Sequence, residues 1–538
     1  MNYLSKYYPI KLTPIKLILL VSAFIVLTGN FTFFTQVEKI YPSNINNFIF
    51  FITLVFFHFS LLSLLMITLT LCLPVRVVVT IFIFLTAALG YYSDQLGIMI
   101  DTEMIRTMFE TNISETADLL NTGFILHLLL HGLIPAIITW FIPLYNFKLT
   151  KQLIYKGKSA FILIFIIFTC IFLASDHYAS FFREHKILRN YMHPTASILH
   201  FARYIKQELK ASEKHDFVGI TDNIEKSIYD RHSELIIMVV GETARADHFS
   251  LNGYERKTNP KLAMEKNLIS YSDISSCGTL TALSVPCMFS NKGREKFDRD
   301  ASHYTENALD LLKRANVNIL WRDNNSSSKG VADRVPYENY RSSKNNKSCD
   351  IECRDTGMIE GLQNYIDSHN GDILIILHSM GSHGPAYFKR YPKGYEKFTP
   401  ACNTLELSEC SHEEIINAYD NTILYTDYFL SKIIELLKNN SEKHETSMFY
   451  VSDHGESLGE SGLYLHGIPY MFAPETQTKV PIIIWAGDSA DIDIKKSIQL
   501  KDVKNSHDAV FYTLMNLFEI QTDINNVAVP PLVYYKEE

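Results

Sequence analysis

The sequence predicts a chain in two parts: a multi-pass α-helical membrane module of about five spans, then an α/β domain with a mostly parallel sheet. Three observations predict it. Apolar, charge-poor runs crowd the first third, most of them near the length that crosses a hydrocarbon core of ~30 Å. From Leu235 onward, short apolar runs alternate with amphipathic stretches, as strands and helices do in α/β domains. Residues suited to a metal ion stand directly after several of those runs. At 538 residues the chain exceeds one ordinary domain. Its net charge of −8, with no basic stripe in the polar part, argues against a nucleic-acid partner.

The predicted spans are Leu17–Val37, Phe48–Leu71, Val77–Tyr92, Phe124–Phe147 and Ser159–Ser175, the third and fifth being short. Lys6, Lys11 and Lys16 precede the first, Arg76 lies between the second and third, and Lys148, Lys151, Lys156 and Lys158 lie between the fourth and fifth. The loop after the third span is mainly acidic, with Asp94, Asp101, Glu103, Glu110, Glu115 and Asp118. Positive residues stay inside, so the amino terminus is expected in the cytoplasm and everything after Ser175 outside. The first span has no small-residue cleavage site and more spans follow, so it reads as an anchor and not a signal peptide.

Residues 104–120 predict an amphipathic helix at the outer membrane surface, with Thr107, Thr111 and Glu115 sharing a face at i, i+4, i+8. His127 and His131, four apart inside the fourth span, predict interhelical hydrogen bonds. Outside the spans the cysteines come in three close pairs: Cys277 with Cys287, Cys349 with Cys353, and Cys402 with Cys410. Such pairs predict local disulfides in an oxidising compartment, each worth roughly 2–3 kcal/mol by loop entropy. No His or Cys stands at finger spacing around them, which argues against a zinc knot.

Residues 176–230 read as a polar connector with helix-like segments, and 231–538 as the catalytic domain. Its candidate strands are Leu235–Val240, Val317–Trp321, Ile373–Leu377, Met448–Val451 and Ile482–Trp485, with helical patterns over Glu306–Ala315, Thr356–Ser368 and Glu413–Lys438. Sites in open α/β sheets lie outside the carboxyl ends of the strands, and Glu242, His378, Asp453 and His454 each follow a candidate strand. Glu242, Asp453 and His454 would hold a zinc ion, with Thr281 as fourth ligand and nucleophile. A threonine hydroxyl is almost fully protonated at neutral pH, and a cation favours its alkoxide. Thr281 also opens a predicted helix, whose amino terminus favours an anion. Thr243 and Thr279 are the rival nucleophiles.

The motifs Gly241-Glu242-Thr243-Ala244-Arg245, Leu251-Asn252-Gly253-Tyr254, Ser276-Cys277-Gly278-Thr279-Leu280-Thr281-Ala282, Ser284-Val285-Pro286-Cys287-Met288, His378 to Pro385 and Ser452-Asp453-His454-Gly455-Glu456-Ser457 together resemble the phosphoethanolamine transferases. These enzymes modify lipid A and core sugars of Gram-negative bacteria and include the mobile colistin-resistance enzymes. The resemblance covers nearly the whole chain. It implies an alkaline-phosphatase-like (sulfatase-like) periplasmic domain, an inner-membrane location, phosphatidylethanolamine as donor, and lipopolysaccharide as acceptor, with lipid A phosphate ahead of a core sugar. It implies one tightly held zinc on Glu242, Thr281, Asp453 and His454, with His383 and His466 binding a second zinc or the transferred phosphate. Lys329, His378, Asn325 and Glu456 match substrate-contacting positions. The family's Asn-x-x-x-Thr-x-x-x-Glu pattern for lipid binding places Thr111 and Glu115, with Thr107 where the Asn is expected. A monomer is expected.

Three other readings compete. A glycerol-phosphate transferase of the lipoteichoic-acid type shares the architecture and a threonine nucleophile. A sulfatase needs Cys or Ser followed by x-Pro-x-Arg, whereas Ser284-Val285-Pro286-Cys287 continues with Met288. A non-catalytic membrane sensor or scaffold would show a lost ligand or nucleophile, and this chain keeps all of them.

Overall fold

Four helices among the described residues of the computed structural model are long and apolar enough to cross a membrane: Phe48–Leu69, Val75–Leu96, Thr122–Phe141 and Leu149–Leu173. The structure describes residues 11–111, 113–211, 215–226, 232–524 and 529–536. A fifth span exists only if a bent pair is counted as one, because Pro14–Thr28 and Phe31–Ile40 meet at 58°. The predicted continuous run Leu17–Val37 is therefore broken, and the cause is local. Gly29 packs so closely on helix Val75–Leu96 that a Cβ there would stand 2.2 Å from Thr86 Cγ2. Asn30 then turns the chain, its amide donating to the carbonyls of Ile25 and His193 at 3.1 Å each while its oxygen accepts from His193 N at 2.9 Å. Hydropathy cannot register such a break.

The two spans expected to be short are full length, at 22 and 25 residues. The last begins as far back as Leu149, so Lys151, Lys156 and Lys158 ride on its first turns. The fourth span contains a π-helical turn at Leu128–Leu133. There His127 and His131 stack on one another at 4.3 Å, and His127 lies 5.4 Å from the Tyr91 ring. Among the described residues the contacts seen for this pair are ring contacts, and His131 Nδ1 is buried and unpartnered there.

These helices form one unit with residues up to Lys210, which include helices Ser175–Arg183 and Thr195–Ala211. The single surface helix expected over 104–120 is two, Thr102–Glu110 and Ile113–Leu119, and residues Thr111–Leu119 group with the second unit.

The second unit is built on a sheet of eight strands among the described residues. In chain order they are β1 Ser233–Gly241, β2 Leu268–Ser275, β3 Asn318–Asp323, β4 Tyr337–Asn339, β5 Ile373–His378, β6 His444–Ser452, β7 Lys479–Ala486 and β8 Asn505–Ser506. Their spatial order is β8-β2-β7-β6-β1-β5-β3-β4. Only β7 runs against its neighbours; the pairs β6/β1, β1/β5, β5/β3 and β3/β4 are parallel. β1 and β5 are continuous Leu/Ile/Val runs buried along their length, as strands covered on both faces must be. All five predicted strands are present. β2 escaped prediction because it alternates buried and half-buried residues over Leu-Ile-Ser-Tyr-Ser-Asp-Ile-Ser, without an apolar run. Helix His412–Lys438 is started by a capping box of Ser411 and Glu414 and buries one face against the sheet layer. The stretch expected as a helix from Thr356 to Ser368 is interrupted at Gly361, whose φ of 72° splits it into a 3₁₀ turn and helix Leu362–Ser368.

Register positions the site. Gly241 lies opposite Ser452, Val240 opposite both Val451 and His378, and His378 opposite Asp323. Four parallel strands thus end level, and the residues just beyond them share one edge of the sheet.

Candidate active site and metal centre

Glu242 leaves β1 at a residue where no side chain fits, since a Cβ on Gly241 would stand 2.6 Å from the Tyr450 ring. Asp453 and His454 leave β6 beside it. Ligand atoms of Glu242, Asp453 and His454 lie within 4.8 Å of one another, and all three residues are buried. His454 Nε2 is 3.3 Å from Asp453 Oδ2 and 3.6 Å from Glu242 Oε1. Two carboxylates side by side in a buried place repel one another unless a cation lies between them.

The donor set fits a metal ion in two further respects. Asp453 Oδ1 accepts from the backbone N–H groups of Thr243 and His454 at 3.1 and 2.7 Å, whereas Oδ2 is buried and accepts no hydrogen bond among the described residues. His454 Nδ1 faces the carbonyl of Gly455 at 3.0 Å, which can only accept, so Nδ1 carries the proton and Nε2 keeps its lone pair. Burial, more than any neighbouring charge, holds this imidazole below its ordinary pKa and therefore neutral.

Thr281 opens helix Thr281–Met288. Its Oγ1 is 3.1 and 3.3 Å from the two Glu242 oxygens and 3.3 Å from His454 Nε2. The Cys277–Cys287 disulfide ties the turn before this helix to its far end, and Ser284 Oγ donates to the Asp453 carbonyl at 2.5 Å. The rivals stand otherwise. Thr279 Oγ1 donates to the Ile468 carbonyl at 2.7 Å, and the Thr243 hydroxyl is buried with no partner among the described residues.

Asn325 Nδ2 donates to Glu242 Oε2 at 2.7 Å and to the Ser379 carbonyl at 2.9 Å, so it orients a carboxylate. The loop after β5 presses on the same residue: a Cβ on Gly381 (φ 51°) would stand 2.7 Å from the Glu242 carbonyl. The His466 ring lies 4.3 Å from that of His454 and 5.6 Å from that of His383. Glu456 stands one step behind. Its Oε2 is 2.7 Å from His466 Nδ1, and its Oε1 accepts from the Tyr387 hydroxyl at 2.7 Å. Burial and the adjoining Glu456 push the Tyr387 phenol far above its ordinary pKa, which keeps it a donor. Burial, with His466 alongside, holds His383 well below the ordinary value. His378 is fully buried, with Nδ1 3.0 Å from Asp323 Oδ2, itself an acceptor from Trp321 Nε1. Lys329 is half-buried at a left-handed φ of 52°. Thr111 belongs to the same unit; the side chain of Glu115 lies outside the described residues.

All three expected disulfides form: Cys277 with Cys287, Cys349 with Cys353, and Cys402 with Cys410. Of these, only the Cys277–Cys287 pair involves helix Thr281–Met288. Cys402, buried, and Cys410, half-buried, have Cα atoms 5.7 Å apart and close the loop that leads into helix His412–Lys438, a structural staple. Cys72 and Cys170 are free.

Sequence reasoning missed several supports. Tyr419 OH donates to the Thr243 carbonyl and accepts from Arg245 N, Ser452 Oγ accepts from Ala244 N, and Asp355 accepts from Met380 N and Gly381 N. Tyr419 and Asp355 come from elements distant in sequence that no local motif marks, and Ser452 stands in a motif that does not reveal its partner.

Family models match along the chain: a phosphoethanolamine transferase EptA/EptB model over residues 54–209 and a sulfatase model over 234–520. Phosphatidylethanolamine transferase Mcr-1 of Escherichia coli is 40% identical, over 97% of this chain and 98% of its own. The chain belongs to the phosphoethanolamine transferase family. The integral membrane protein lipooligosaccharide phosphoethanolamine transferase A (EptA) from Neisseria meningitidis superposes on this transferase with a TM-score of 0.92, at 31% identity, covering 96% of this chain and 98% of that one. The C-terminal periplasmic domain of phosphoethanolamine transferase EptC from Campylobacter jejuni matches at 42% identity and a TM-score of 0.52, over 57% of this chain and 94% of that one. The helical module and the sulfatase-like domain of the transferase thus both have counterparts in a single solved relative.

Proposed function

We propose that the protein transfers phosphoethanolamine from phosphatidylethanolamine to lipopolysaccharide through a phosphoethanolamine ester on Thr281. The observation that carries this reading is the Thr281 hydroxyl within 3.1–3.3 Å of Glu242 and His454 at the start of a helix. Glu242, Asp453, His454 and the Thr281 oxygen would hold a zinc ion, the borderline cation that this N/O donor set suits. Bound there, zinc would stabilise the threonine alkoxide and offset charge on the phosphoryl oxygens.

Thr281 Oγ1 attacks phosphorus, the bond to the glycerol oxygen breaks, and diacylglycerol leaves with a proton. The acceptor oxygen then attacks the same phosphorus, loses its proton, and frees Thr281. Asn325 keeps Glu242 in place, while Lys329 borders the phosphate and offsets its charge and His383 and His466 hydrogen-bond it. Glu456 acts by holding His466. Lipid A phosphate is the acceptor favoured by the family resemblance, and the lipooligosaccharide named for the Neisseria relative supports that class. Masking a lipid A phosphate would weaken binding of cationic peptides such as polymyxin. The catalytic unit lies in the periplasm on this reading, as the matching Campylobacter domain does.

Mass spectrometry of protein incubated with phosphatidylethanolamine and no acceptor tests the proposal. The expected result is a phosphoethanolamine adduct on Thr281; transfer at the normal rate by Thr281→Ala protein would overturn it.

A further inference from the structure

Behind His383 lies a second buried charge cluster that the chemistry above does not use. Its centre is Arg390, whose side chain is 1% exposed. The guanidinium reaches three separate pieces of chain. Nε donates to the His383 carbonyl at 2.6 Å, Nη2 to Asp118 Oδ2 at 3.0 Å, and Nη1 to Glu352. Asp118 lies on helix Ile113–Leu119 and also accepts from Lys389 Nζ at 2.5 Å. Glu352 lies inside the loop closed by Cys349–Cys353. Arg354 braces the cluster from below, donating to the Lys389 carbonyl and to Asp350 of that loop at 2.5 Å each.

Two cations and two carboxylates make this quartet neutral. A buried ion cluster adds little net stability over apolar side chains of the same volume, so stability alone explains it poorly. What it does achieve is geometric. A planar guanidinium holds several acceptors at set angles, which a lysine does not. One of those acceptors is the backbone of a residue in the site. Among the described residues no other element donates to or accepts from His383 Nδ1, which is buried beside the Gly384 backbone, so the ring follows its own stretch of chain.

We propose that Arg390 is a positioning residue that latches helix Ile113–Leu119 to His383, so that seating of the helix through Asp118 sets where the His383 ring stands. The inference rests on the reading of His383 as a residue bordering the transferred phosphate. It gives the short helix a role in turnover.

The test measures diacylglycerol release by full-length protein in mixed micelles of detergent and phosphatidylethanolamine. Asp118→Asn and Arg390→Lys are each made in the natural protein and in a His383→Ala background. Arg390→Lys preserves the charge count and carries the test if Asp118→Asn does not fold. Expected in the natural background is a fall in kcat of about tenfold, in the range of one lost charge-assisted hydrogen bond, with KM changed less than about twofold. Expected in the His383→Ala background is a further loss below about twofold, since the latch then has nothing to position. Equal losses in both backgrounds, or no loss in either, would overturn the latch while leaving the reading of His383 intact. Full activity of His383→Ala by itself would overturn that reading and the latch with it.

Discussion

The two halves of the site are built from different materials. On one side Glu242, Asp453 and His454 converge within 4.8 Å, with the Thr281 hydroxyl against them. Their positions come from strand ends in strict register, so the rigid sheet sets the spacing. On the other side His383 and His466 stand 5.6 Å apart on loops, and the nearest carboxylate, Glu456, has both oxygens engaged by His466 and Tyr387. Carboxylates that face one another are stable only with a cation or a shared proton between them. The His383 imidazole, held neutral by burial, and His466, paired with Glu456, can wait for whatever arrives, a phosphate or a second metal. On the proposed function the first half would hold the resident metal and the second would meet the substrate.

Substitutions sharpen this division, the largest expected effect coming first. Thr281→Ala should lower transfer by about a thousandfold or more and abolish the protein adduct, because the nucleophile is gone. Mass spectrometry and diacylglycerol release check both outcomes. His466→Ala should cost about a hundredfold in kcat, the scale of one electrostatic contact to a developing charge, while metal content stays unchanged. Asn325→Ala should weaken metal affinity by roughly ten- to a hundredfold through misorientation of Glu242, with activity restored by added zinc. Glu456→Gln should cost least, about three- to tenfold, since the amide oxygen still accepts from one of His466 and Tyr387 while the charge and the second acceptor are lost. If Glu456→Gln proved as damaging as His466→Ala, the carboxylate would belong to the chemistry and the division above would fail.

Much of the catalytic unit was legible because its strands are unbroken apolar runs. Leu235–Val240 ends at Gly241-Glu242 and Met448–Val451 leads into Ser452-Asp453-His454, so strand and ligand could be read together. The choice among Thr243, Thr279 and Thr281 was legible only as a preference for Thr281, from its place at a predicted helix start. It turns on where each hydroxyl points, and Thr279 is committed to the Ile468 carbonyl by a contact between remote loops. Glu456 illustrates the same limit. Its motif places it beside the metal ligands, yet Tyr387 and His466 set its place behind them. In the membrane unit, apolar length showed where helices lie but not that Gly29 and Asn30 bend the first one, since a kink changes packing and hydrogen bonding without changing hydropathy.

Metal content measured on the purified full-length protein tests the central claim most directly. Element-resolved mass spectrometry should find one tightly held zinc per chain in the natural protein and in the His383→Ala/His466→Ala double variant. The same measurement on Glu242→Gln or Asp453→Asn protein should find it lost. Zinc retained in the carboxylate variants, or lost only when the two imidazoles are removed, would contradict the account.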